Sequence, residues 1–245
     1  MELRDATLLV VDDEPYYSDI AREWFEREGC RVLTAQNGVE ALPLIENNQV
    51  HAIITDIRMP RMDGVALVKK LKAGGSYMPT AVALTGFSDL SIRDAYDLGI
   101  ESQLSKPVSR KVLIAAVTKA LADREQLWAL PFRDGTDPTL STSFESLHSA
   151  LETDSIAFGR GGFCLRSEQI FPEDSRIEFQ LVFNADQQSL SGQGTVRWAS
   201  EKEQALGIEI ERVQEKGRSW LAQLTRENRT LSFIPRTPGA VRIAT

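Results

Sequence analysis

With 245 residues, the chain is long enough for one large domain or for two ordinary domains, each with its own hydrophobic core. Hydrophobic residues (42%) and charged residues (26%) are balanced as in ordinary globular proteins, and a net charge of −7 with no basic half argues against nucleic-acid binding. The N-terminus lacks the basic flank of a signal peptide, and no apolar stretch approaches the ~20 residues of a membrane helix, so we expect a cytoplasmic protein without membrane insertion.

Apolar runs and helical segments alternate through residues 1–123. The runs are TLLVV, RVLTA, AIIT and TAVAL. Between the first two runs, apolar residues recur at the spacing of one buried helical face. These residues are Tyr17, Ile20, Ala21, Trp24 and Phe25. Unbroken apolar strands that alternate with amphipathic helices are typical of a parallel sheet covered on both faces. We therefore predict a doubly wound α/β domain with a five-stranded parallel sheet.

Chemically reactive side chains follow the strands of this predicted sheet. Asp12 and Asp13 follow the first run, Asp56 follows AIIT, Thr85 follows TAVAL, and Lys106 follows the short run QLS. The carboxyl ends of parallel strands meet in one crevice, so these groups are expected to converge. An acid after a strand can also be only a helix cap, which is a reasonable alternative for Asp12 or Asp56 alone but a weak one for the whole set.

The expected cluster has the composition of a phosphoryl-transfer site. Crowded carboxylates are costly to ionise without a cation, and an oxygen-rich site that keeps several waters suits Mg²⁺ better than zinc. A carboxylate oxygen can act as a nucleophile and form an acyl phosphate, while metal and lysine neutralise the transferring group. We therefore predict a Mg²⁺ site that contains a reactive carboxylate.

Residues 5–123 resemble the receiver domain of two-component response regulators, which has a flavodoxin-like fold. The resemblance rests on the motifs VVDDEP, HAIITDIRMPRMDG, LTG and SKP, which span the whole half. It implies that Asp56 accepts a phosphoryl group from a sensor histidine kinase or a phosphotransfer protein. It also implies that Asp13, Asp56 and the backbone carbonyl of Arg58 hold Mg²⁺, with Asp12 acting largely through water.

The same resemblance assigns roles to further residues. Thr85 would follow the phosphate, Lys106 would contact it, and the Lys106–Pro107 peptide bond would be cis. Three residues before the lysine, receivers usually carry an aromatic residue that swings inward when the threonine moves. Here that position is Gln103. Phosphorylation does not need the aromatic ring, but the usual route of signal transmission is then open to question.

Residues 124–140 are predicted as the end of a connector helix followed by a linker. The apolar stripe of the preceding helix continues to Leu127 and Trp128, whereas Pro131 disfavours helical geometry at Leu130. One interpretation is a continuous helix that transmits movement mechanically. The other is a frayed end with Trp128 packed on a domain surface, and the sequence favours neither. The stretch PFRDGTDPTLSTS then has the composition of a loop.

Residues 141–231 change to a period of two, which is typical of half-buried antiparallel strands. The alternating apolar residues are Ile177, Phe179, Leu181 and Phe183 in one segment and Leu206, Ile208 and Ile210 in another. An amphipathic helix is predicted around Trp220. We therefore predict a small antiparallel β-barrel with a C-terminal helix, followed by an irregular tail at residues 232–245.

This second half resembles a PilZ domain, the small β-barrel that often follows receivers. The matching stretches are GGFCL, GTVRW, LGIEIERV and the helix near Trp220, over about residues 140–230. The resemblance depends on strand order and on the placement of glycines. Because many PilZ domains bind cyclic di-GMP, it raises the question of whether this chain does so.

The dinucleotide-binding signature of PilZ domains is incomplete here. Its R-x-x-x-R spacing occurs in this chain only at Arg27 and Arg31, in the first half. Of its D/N-x-S-x-x-G part only Gly162 remains, with Ala157 in the acidic position and Gly159 in the serine position. A site built to hydrogen-bond a ligand discriminates through such groups, so we expect weak or no binding of cyclic di-GMP.

The loop FGRGGFC raises the question of anion binding by itself, since glycines let backbone N–H groups approach an anion closely. We interpret the loop as a glycine-shaped connection between strands, and Arg160 as a solvated residue. If other residues had rebuilt a nucleotide site, Arg160, Gly162 and Arg166 would be the candidates. Cys164 in this loop and the distant Cys30 lack metal-ligand spacing and are expected as buried thiols, not as a disulfide.

The function predicted from these features is that of a response regulator, not of an enzyme. The chain would accept a phosphoryl group on Asp56 and signal through a degenerate PilZ-like domain to an unknown downstream protein, with homodimer formation left open. The alternative is a phosphorylation-modulated cyclic di-GMP receptor with a non-standard site. A DNA-binding regulator is disfavoured because the second half is acidic and has no helix-turn-helix pattern. An enzymatic effector is disfavoured because no nucleophile–base pair or metal cluster follows residue 123.

Overall fold

The chain forms two compact units in a computed structural model that describes residues 1–74, 78–86, 90–227 and 232–237. The first unit comprises residues 1–91 and 98–122, and the second comprises residues 92–97 and 123–245. No helix among the described residues is both long and apolar enough to cross a membrane.

The first unit contains the predicted five-stranded parallel sheet. Its strands are β1 (Thr7–Val11), β2 (Arg31–Ala35), β3 (Ala52–Asp56), β4 (Thr80–Thr85) and β5 (Ile100–Ser105). They pair in parallel in the order β2-β1-β3-β4-β5, which confirms the flavodoxin-like sheet. The strand β3 lies at the centre of this order, so the residue that ends it has neighbouring strand ends on both sides.

Helices cover both faces of this sheet. The helices of this unit are α1 (Pro15–Glu26), α2 (Gly38–Asn47), α3 (Gly64–Ala73) and α5 (Arg110–Leu121), whereas residues 92–97 of the next helix in the chain, α4 (Ile92–Leu98), group with the second unit. On one face, Phe25 of α1 and Val117 of α5 join Ile54 of β3 in one hydrophobic cluster. Leu9 and Ile53 alternate with that set and are also fully buried. Strands buried on both faces explain the unbroken apolar runs in the sequence.

The second unit contains a six-stranded mixed sheet. Its strands are β6 (Thr139–Phe144), β7 (Ile156–Phe158), β8 (Gly162–Arg166), β9 (Arg176–Phe183), β10 (Gln188–Ser200) and β11 (Ala205–Val213). They follow the order β6-β9-β10-β11-β8-β7, in which β6 and β9 are parallel and all other neighbours are antiparallel. The predicted alternation in β9 is confirmed, because Ile177, Phe179, Leu181 and Phe183 are all buried.

Besides residues 92–97 of α4, the described part of the second unit contains the helices α6 (Arg124–Trp128), α7 (Leu147–Glu152) and α8 (Glu215–Glu227). Helix α8 is the predicted C-terminal helix, and it contacts β10 and α6. Trp128 on α6 is fully buried, and its indole N–H donates a hydrogen bond of 3.2 Å to the carbonyl of Ile210. Trp128 is therefore a core residue of this unit.

The sheet differs from the expected antiparallel barrel in two respects. Strand β6 runs parallel to β9 because α7, β7 and β8 intervene in the chain, and such a crossover is what parallel neighbours require. Within the described residues no pairing joins β6 to β7, the two ends of the strand order. Strand β6 also begins at Thr139, inside the segment 124–140 predicted as linker, since this edge strand is polar and buries mainly Leu140.

Strand β11 was expected to be half-buried, but it is buried on both faces. Gly207 lies against the indole of Trp198, where an added Cβ would be 2.0 Å from Nε1. Glu209 is 4% exposed and accepts a hydrogen bond of 2.8 Å from Arg197. The alternating charges in this segment therefore do not mark a solvent face, because a second apolar layer covers it.

The tail predicted at residues 232–245 contributes to that second layer. Residues 232–237 contain no helix or strand, in agreement with the prediction of irregular structure, and residues 238–245 lie outside the described part of the chain. Phe233 and Ile234 are nevertheless buried in a cluster with Tyr96, Cys164 and Trp198. The irregular segment is thus packed, which its lack of periodicity concealed.

A single continuous connector helix is not present. Helix α5 ends at Leu121, and Ala122 and Asp123 have extended backbone geometry (ψ 146° and 125°) before α6 begins. The carboxylate of Asp123 accepts hydrogen bonds from the N–H groups of Glu125 and Gln126, so it acts as the N-cap of a new helix. The apolar stripe continues across this break, which is why the sequence pattern alone left the two interpretations equal.

Replacing Asp123 tests whether this cap separates the two helices. Asp123→Ala should lower the free energy of unfolding of the second unit by about 1 kcal/mol, since two helical N–H groups lose their acceptor. Asp123→Asn keeps an acceptor and should lose little. In a Trp24→Phe background, urea denaturation followed by the fluorescence of Trp128, Trp198 and Trp220 measures the difference. An equal loss in both variants would contradict the capping role.

Candidate functional site

The reactive residues predicted from the first half all lie at the carboxyl edge of its sheet. Asp56 and Thr85 are the last residues of β3 and β4. Asp12 and Lys106 directly follow β1 and β5. The sheet therefore brings residues from four separate strand ends to one edge, as the parallel topology requires.

Three carboxylates form the centre of this site. One oxygen each of Asp12, Asp13 and Asp56 lies within 4.8 Å of the other two. Asp12 is 1% exposed and Asp56 is 8% exposed, whereas Asp13 is exposed. An all-oxygen donor set of this size fits a hard divalent cation, so these residues could hold a metal ion.

Lys106 links two of the carboxylates. Its Nζ lies 2.8 Å from Oδ2 of Asp12 and also forms a hydrogen-bonded ion pair with Oδ2 of Asp56. The backbone N–H of Lys106 donates a hydrogen bond of 2.8 Å to the carbonyl of Thr85, which ties the end of β5 to the end of β4. The Lys106–Pro107 peptide bond is cis, as the resemblance implied.

Burial and charge have opposite effects on the ionisation of this cluster. Burial raises the pKa of Asp12, and the hydrogen bonds from Lys106 and from the N–H of Glu14 offset this only in part. Burial alone would lower the pKa of Lys106, but hydrogen bonds and charges from Asp12 and Asp56 together raise it. The site therefore holds a charged lysine beside Asp12, whose carboxylate is costly to ionise without further positive charge.

The backbone around Asp56 is held by close contacts that the sequence analysis did not single out. The N–H of Arg58 donates a hydrogen bond of 3.0 Å to Oδ1 of Asp56. Thr55 Oγ1 donates a hydrogen bond of 2.9 Å to the carbonyl of Asp56. A Cβ at Gly64 would lie 2.1 Å from that carbonyl, so only glycine fits there. The sequence signal was the Asp-Gly pair that begins α3.

Gln103 makes a polar contact where the resemblance expects an aromatic ring. Its amide nitrogen donates a hydrogen bond of 3.1 Å to the carbonyl of Leu90. Its Oε1 is buried and has no hydrogen-bond partner among the residues that the structure describes. Gln103 therefore connects β5 to the segment that follows β4 through a directional hydrogen bond.

Tyr17 was predicted to lie on the buried face of its helix, and this was wrong. The buried residues of α1 are Ser18, Ala21 and Phe25, while Tyr17 is 37% exposed. Its ring lies 4.7 Å from Nζ of Lys106, in the geometry of a cation–π contact. In the first turn of α1, next to the carboxyl edge, the ring covers the lysine and not the core.

The candidate nucleotide residues of the second unit have structural contacts instead. FGRGGFC connects β7 to β8, which confirms the strand connection, but Arg160 is only 8% exposed, so the expectation of a solvated residue was wrong. A Cβ at Gly162 would lie 1.9 Å from the carbonyl of Ile208, which explains the glycine by strand packing. Arg166 is exposed and donates a hydrogen bond of 3.1 Å to the carbonyl of Asp154.

Comparison with known proteins identifies the first unit. The family model described as response regulator receiver domain matches residues 8–118. Response regulator MprA of Mycobacterium sp. (strain KMS) is 37% identical over 115 residues, 46% of this chain and 50% of that protein. An uncharacterized 14.6 kDa protein of Leptolyngbya boryana is 36% identical over 118 residues, 47% of this chain and 89% of that protein. The chain spans about half the length of most of the first curated relatives it matches.

Solved structures of receiver domains also align with this chain. A response regulator receiver domain protein from Clostridium thermocellum is 31% identical, with a TM-score of 0.44 over 48% of this chain and 94% of that one. The receiver domain of the Francisella response regulator 1452 is 28% identical, with a TM-score of 0.45 over 48% of this chain and 97% of that one.

Removing Lys106 tests the charge balance of the carboxylate cluster. In the presence of a chelator, Lys106→Met should lower the free energy of unfolding of the first unit by about 1–3 kcal/mol, since buried carboxylates lose their cation. Adding Mg²⁺ should stabilise this variant more than the unmodified chain. Lys111→Met removes an exposed lysine from α5 and is the control. Equal stability of the two variants in chelator would contradict the role assigned to Lys106.

Proposed function

The N-terminal half of this chain belongs to the response regulator receiver family, and we propose that it accepts a phosphoryl group on Asp56. The observation that supports this most directly is the position of Lys106, which contacts Asp56 and Asp12 beside a group of three carboxylates. A lysine in this position can neutralise the carboxylate before the transfer and the bound phosphoryl group after it.

Asp56 is favoured over its neighbours for physical reasons. Asp12 is 1% exposed, and its two oxygens accept hydrogen bonds from Glu14 and Lys106. Asp13 is exposed, and its place in the cluster suits a metal ligand. Asp56 ends the central strand, is more accessible than Asp12, and is oriented through Oδ1 by the N–H of Arg58. It combines access with fixed orientation, which an in-line attack requires.

The proposed reaction is a direct transfer between nucleophiles. An oxygen of Asp56 forms a bond to phosphorus while the bond between phosphorus and an imidazole nitrogen of a histidine kinase or phosphotransfer protein breaks. The product is an acyl phosphate on Asp56 and a free histidine on the donor. Asp13, Asp56 and the carbonyl of Arg58, with Asp12 through water, would hold Mg²⁺, whose charge neutralises the transferring group. Thr85 and Lys106 would contact the phosphoryl oxygens.

We extend the proposal to the second unit as a PilZ-like output domain that acts through protein contacts and not through catalysis. The glycine loop before β8, the long β10, the strand β11 and the following helix α8 support this assignment. The parallel edge strand β6 departs from it. Contacts with a downstream protein, or between two copies of the chain, would carry the output signal.

Asp56 phosphorylation can be tested with a small phosphodonor and Mg²⁺. The chain should gain one phosphoryl group that is labile to acid or hydroxylamine, and Asp56→Asn should lose it because an amide is not a comparable nucleophile. Intact-mass spectrometry and phosphate-affinity electrophoresis measure the product. Asp19→Asn, on the exposed side of α1, is the matched control. If Asp56→Asn gains the label at the control rate, another residue is the acceptor.

Cyclic di-GMP is the ligand that would distinguish the alternative function. Because Ala157 and Gly159 replace the hydrogen-bonding residues of the PilZ signature, binding by the whole chain should be no tighter than the millimolar range, about −4 kcal/mol. Isothermal titration calorimetry with and without phosphorylation measures this. A Kd near or below ~1 μM, about −8.2 kcal/mol, would establish the receptor alternative. Arg160 and Arg166 would then be the first residues to replace.

A further inference from the structure

The glycine loop at residues 159–161 is occupied by a segment of the same chain. The backbone N–H of Arg160 donates a hydrogen bond of 2.9 Å to the carbonyl of Ser232, and the N–H of Gly161 donates one of 2.9 Å to the carbonyl of Phe233. These N–H groups are the ones that a phosphate cradle would direct at an anion. In this chain they bind peptide carbonyls.

Two of the loop glycines leave space for that segment. A Cβ on Gly159 would lie 2.5 Å from the carbonyl oxygen of Phe233 and 2.6 Å from that of Ser232. A Cβ on Gly161 would lie 2.0 Å from the ring of Phe233. The clash at Gly159 is with backbone, which cannot rotate away as a side chain can. The loop is therefore shaped to accept a peptide backbone at short range.

The other side of the segment contacts residues 92–97 of α4, which belong to the same unit. The N–H of Phe233 donates a hydrogen bond of 2.7 Å to the carbonyl of Tyr96, and the two rings lie 5.2 Å apart. Ser232 Oγ donates a hydrogen bond of 2.7 Å to the carbonyl of Asp97. The segment thus lies between the glycine loop and α4 and binds both through its backbone.

Charged groups hold the far end of the segment. The guanidinium of Arg236 forms an ion pair of 2.8 Å with Asp94, and the backbone N–H of Arg236 donates a hydrogen bond of 3.0 Å to Oδ1 of Asp97. Arg93 donates a hydrogen bond of 2.6 Å to the carbonyl of Arg236 and lies over the ring of Trp198. Side chains on α4 therefore recognise both the charge and the backbone of residue 236.

We propose that the glycine loop and residues 92–97 form a binding surface for a Ser-Phe-Ile-Pro-Arg segment, and that residues 232–236 occupy it as a displaceable latch. Three backbone–backbone hydrogen bonds, two buried apolar side chains and one terminal arginine define the ligand. While closed, the latch occupies the loop N–H groups that could otherwise bind an anion, and it contacts residues 92–97. This assignment does not depend on phosphorylation of Asp56.

Cys164 is a native reporter of the latch. It is fully buried in the cluster that contains Phe233 and Ile234, and burial raises the pKa of its thiol, so a thiol reagent should modify it slowly. Cys30→Ser leaves Cys164 as the only thiol of the chain. In that background, deletion of residues 232–245 should increase the rate of Cys164 modification about tenfold or more. A tenfold increase corresponds to a loss of about 1.4 kcal/mol in the free energy that favours the closed latch.

A synthetic peptide of residues 232–237 then tests recognition. Added to the shortened chain, it should restore protection of Cys164, whereas the same peptide with Phe233→Ala should not. Added to the full chain, neither peptide should change the rate at comparable concentration. If the shortened chain does not fold, as judged by a cooperative thermal transition and circular dichroism, the segment is a fixed part of the core and the proposal is wrong. A folded shortened chain that the peptide does not protect would also overturn it.

The variant Gly159→Ala provides an independent test by a double-mutant comparison. In the full chain it should displace the latch and increase Cys164 modification, whereas in the chain without residues 232–245 it should have no further effect. Gly135→Ala is the matched control, because its Cβ would find no atom closer than 3.9 Å. An equal effect of Gly159→Ala in both backgrounds would mean that the glycine serves only the turn between β7 and β8, and would overturn the proposal.

Discussion

The chemistry of the first unit depends on the balance of charge among three crowded carboxylates. Lys106 reaches Asp12 and Asp56 from the end of β5, across the end of β4 that separates β5 from β3. Three ionised carboxylates and one ammonium leave two negative charges uncompensated, which is the charge of one divalent cation. A transferred phosphoryl group would arrive in the same field. The parallel order of the strands therefore places the lysine and the carboxylates, which could hold a divalent cation, in one electrostatic arrangement.

The second unit uses its sheet in a different way, because apolar layers lie on both sides of its central strands. One layer is the cluster around Phe163, Phe179 and Trp128, and the other contains Cys164 and Trp198. The second layer is completed by residues far apart in sequence, at 92–97 and 232–236. Residues 92–97 fall within the range 8–118 that the receiver family model matches, although they group with this unit. The glycine loop at residues 159–161, which resembles a ligand site, thereby binds a segment of its own chain.

Much of the first unit could be predicted from sequence, and much of the second could not. Apolar runs ending at Asp12, Asp56 and Thr85 specify both the strands and the edge where the acids meet, because a parallel sheet has one carboxyl edge. Patterns of polar and apolar residues predict the wrong exposure where a charged residue is buried or an apolar one lies at the surface. Glu209 looks like a solvent-facing residue but is buried beside Arg197, and Tyr17 fits a helical stripe but covers Lys106. Residues 232–237 carry no period at all, so only the folded chain shows their role.

The covalent attachment of the latch determines how strongly its occupancy responds to small changes in its binding free energy. The latch follows α8 in the same chain, and covalent attachment through a short linker gives an effective concentration on the order of 1 mM. A segment with an intrinsic Kd of about 100 μM would then be bound about nine-tenths of the time, and a tenfold weaker one about half of the time. The loss of one good hydrogen bond at Ser232 or Phe233 is enough for such a change. For a latch that is closed about nine-tenths of the time, such a loss brings the segment to the middle of its binding curve, where small changes in free energy produce the largest changes in occupancy.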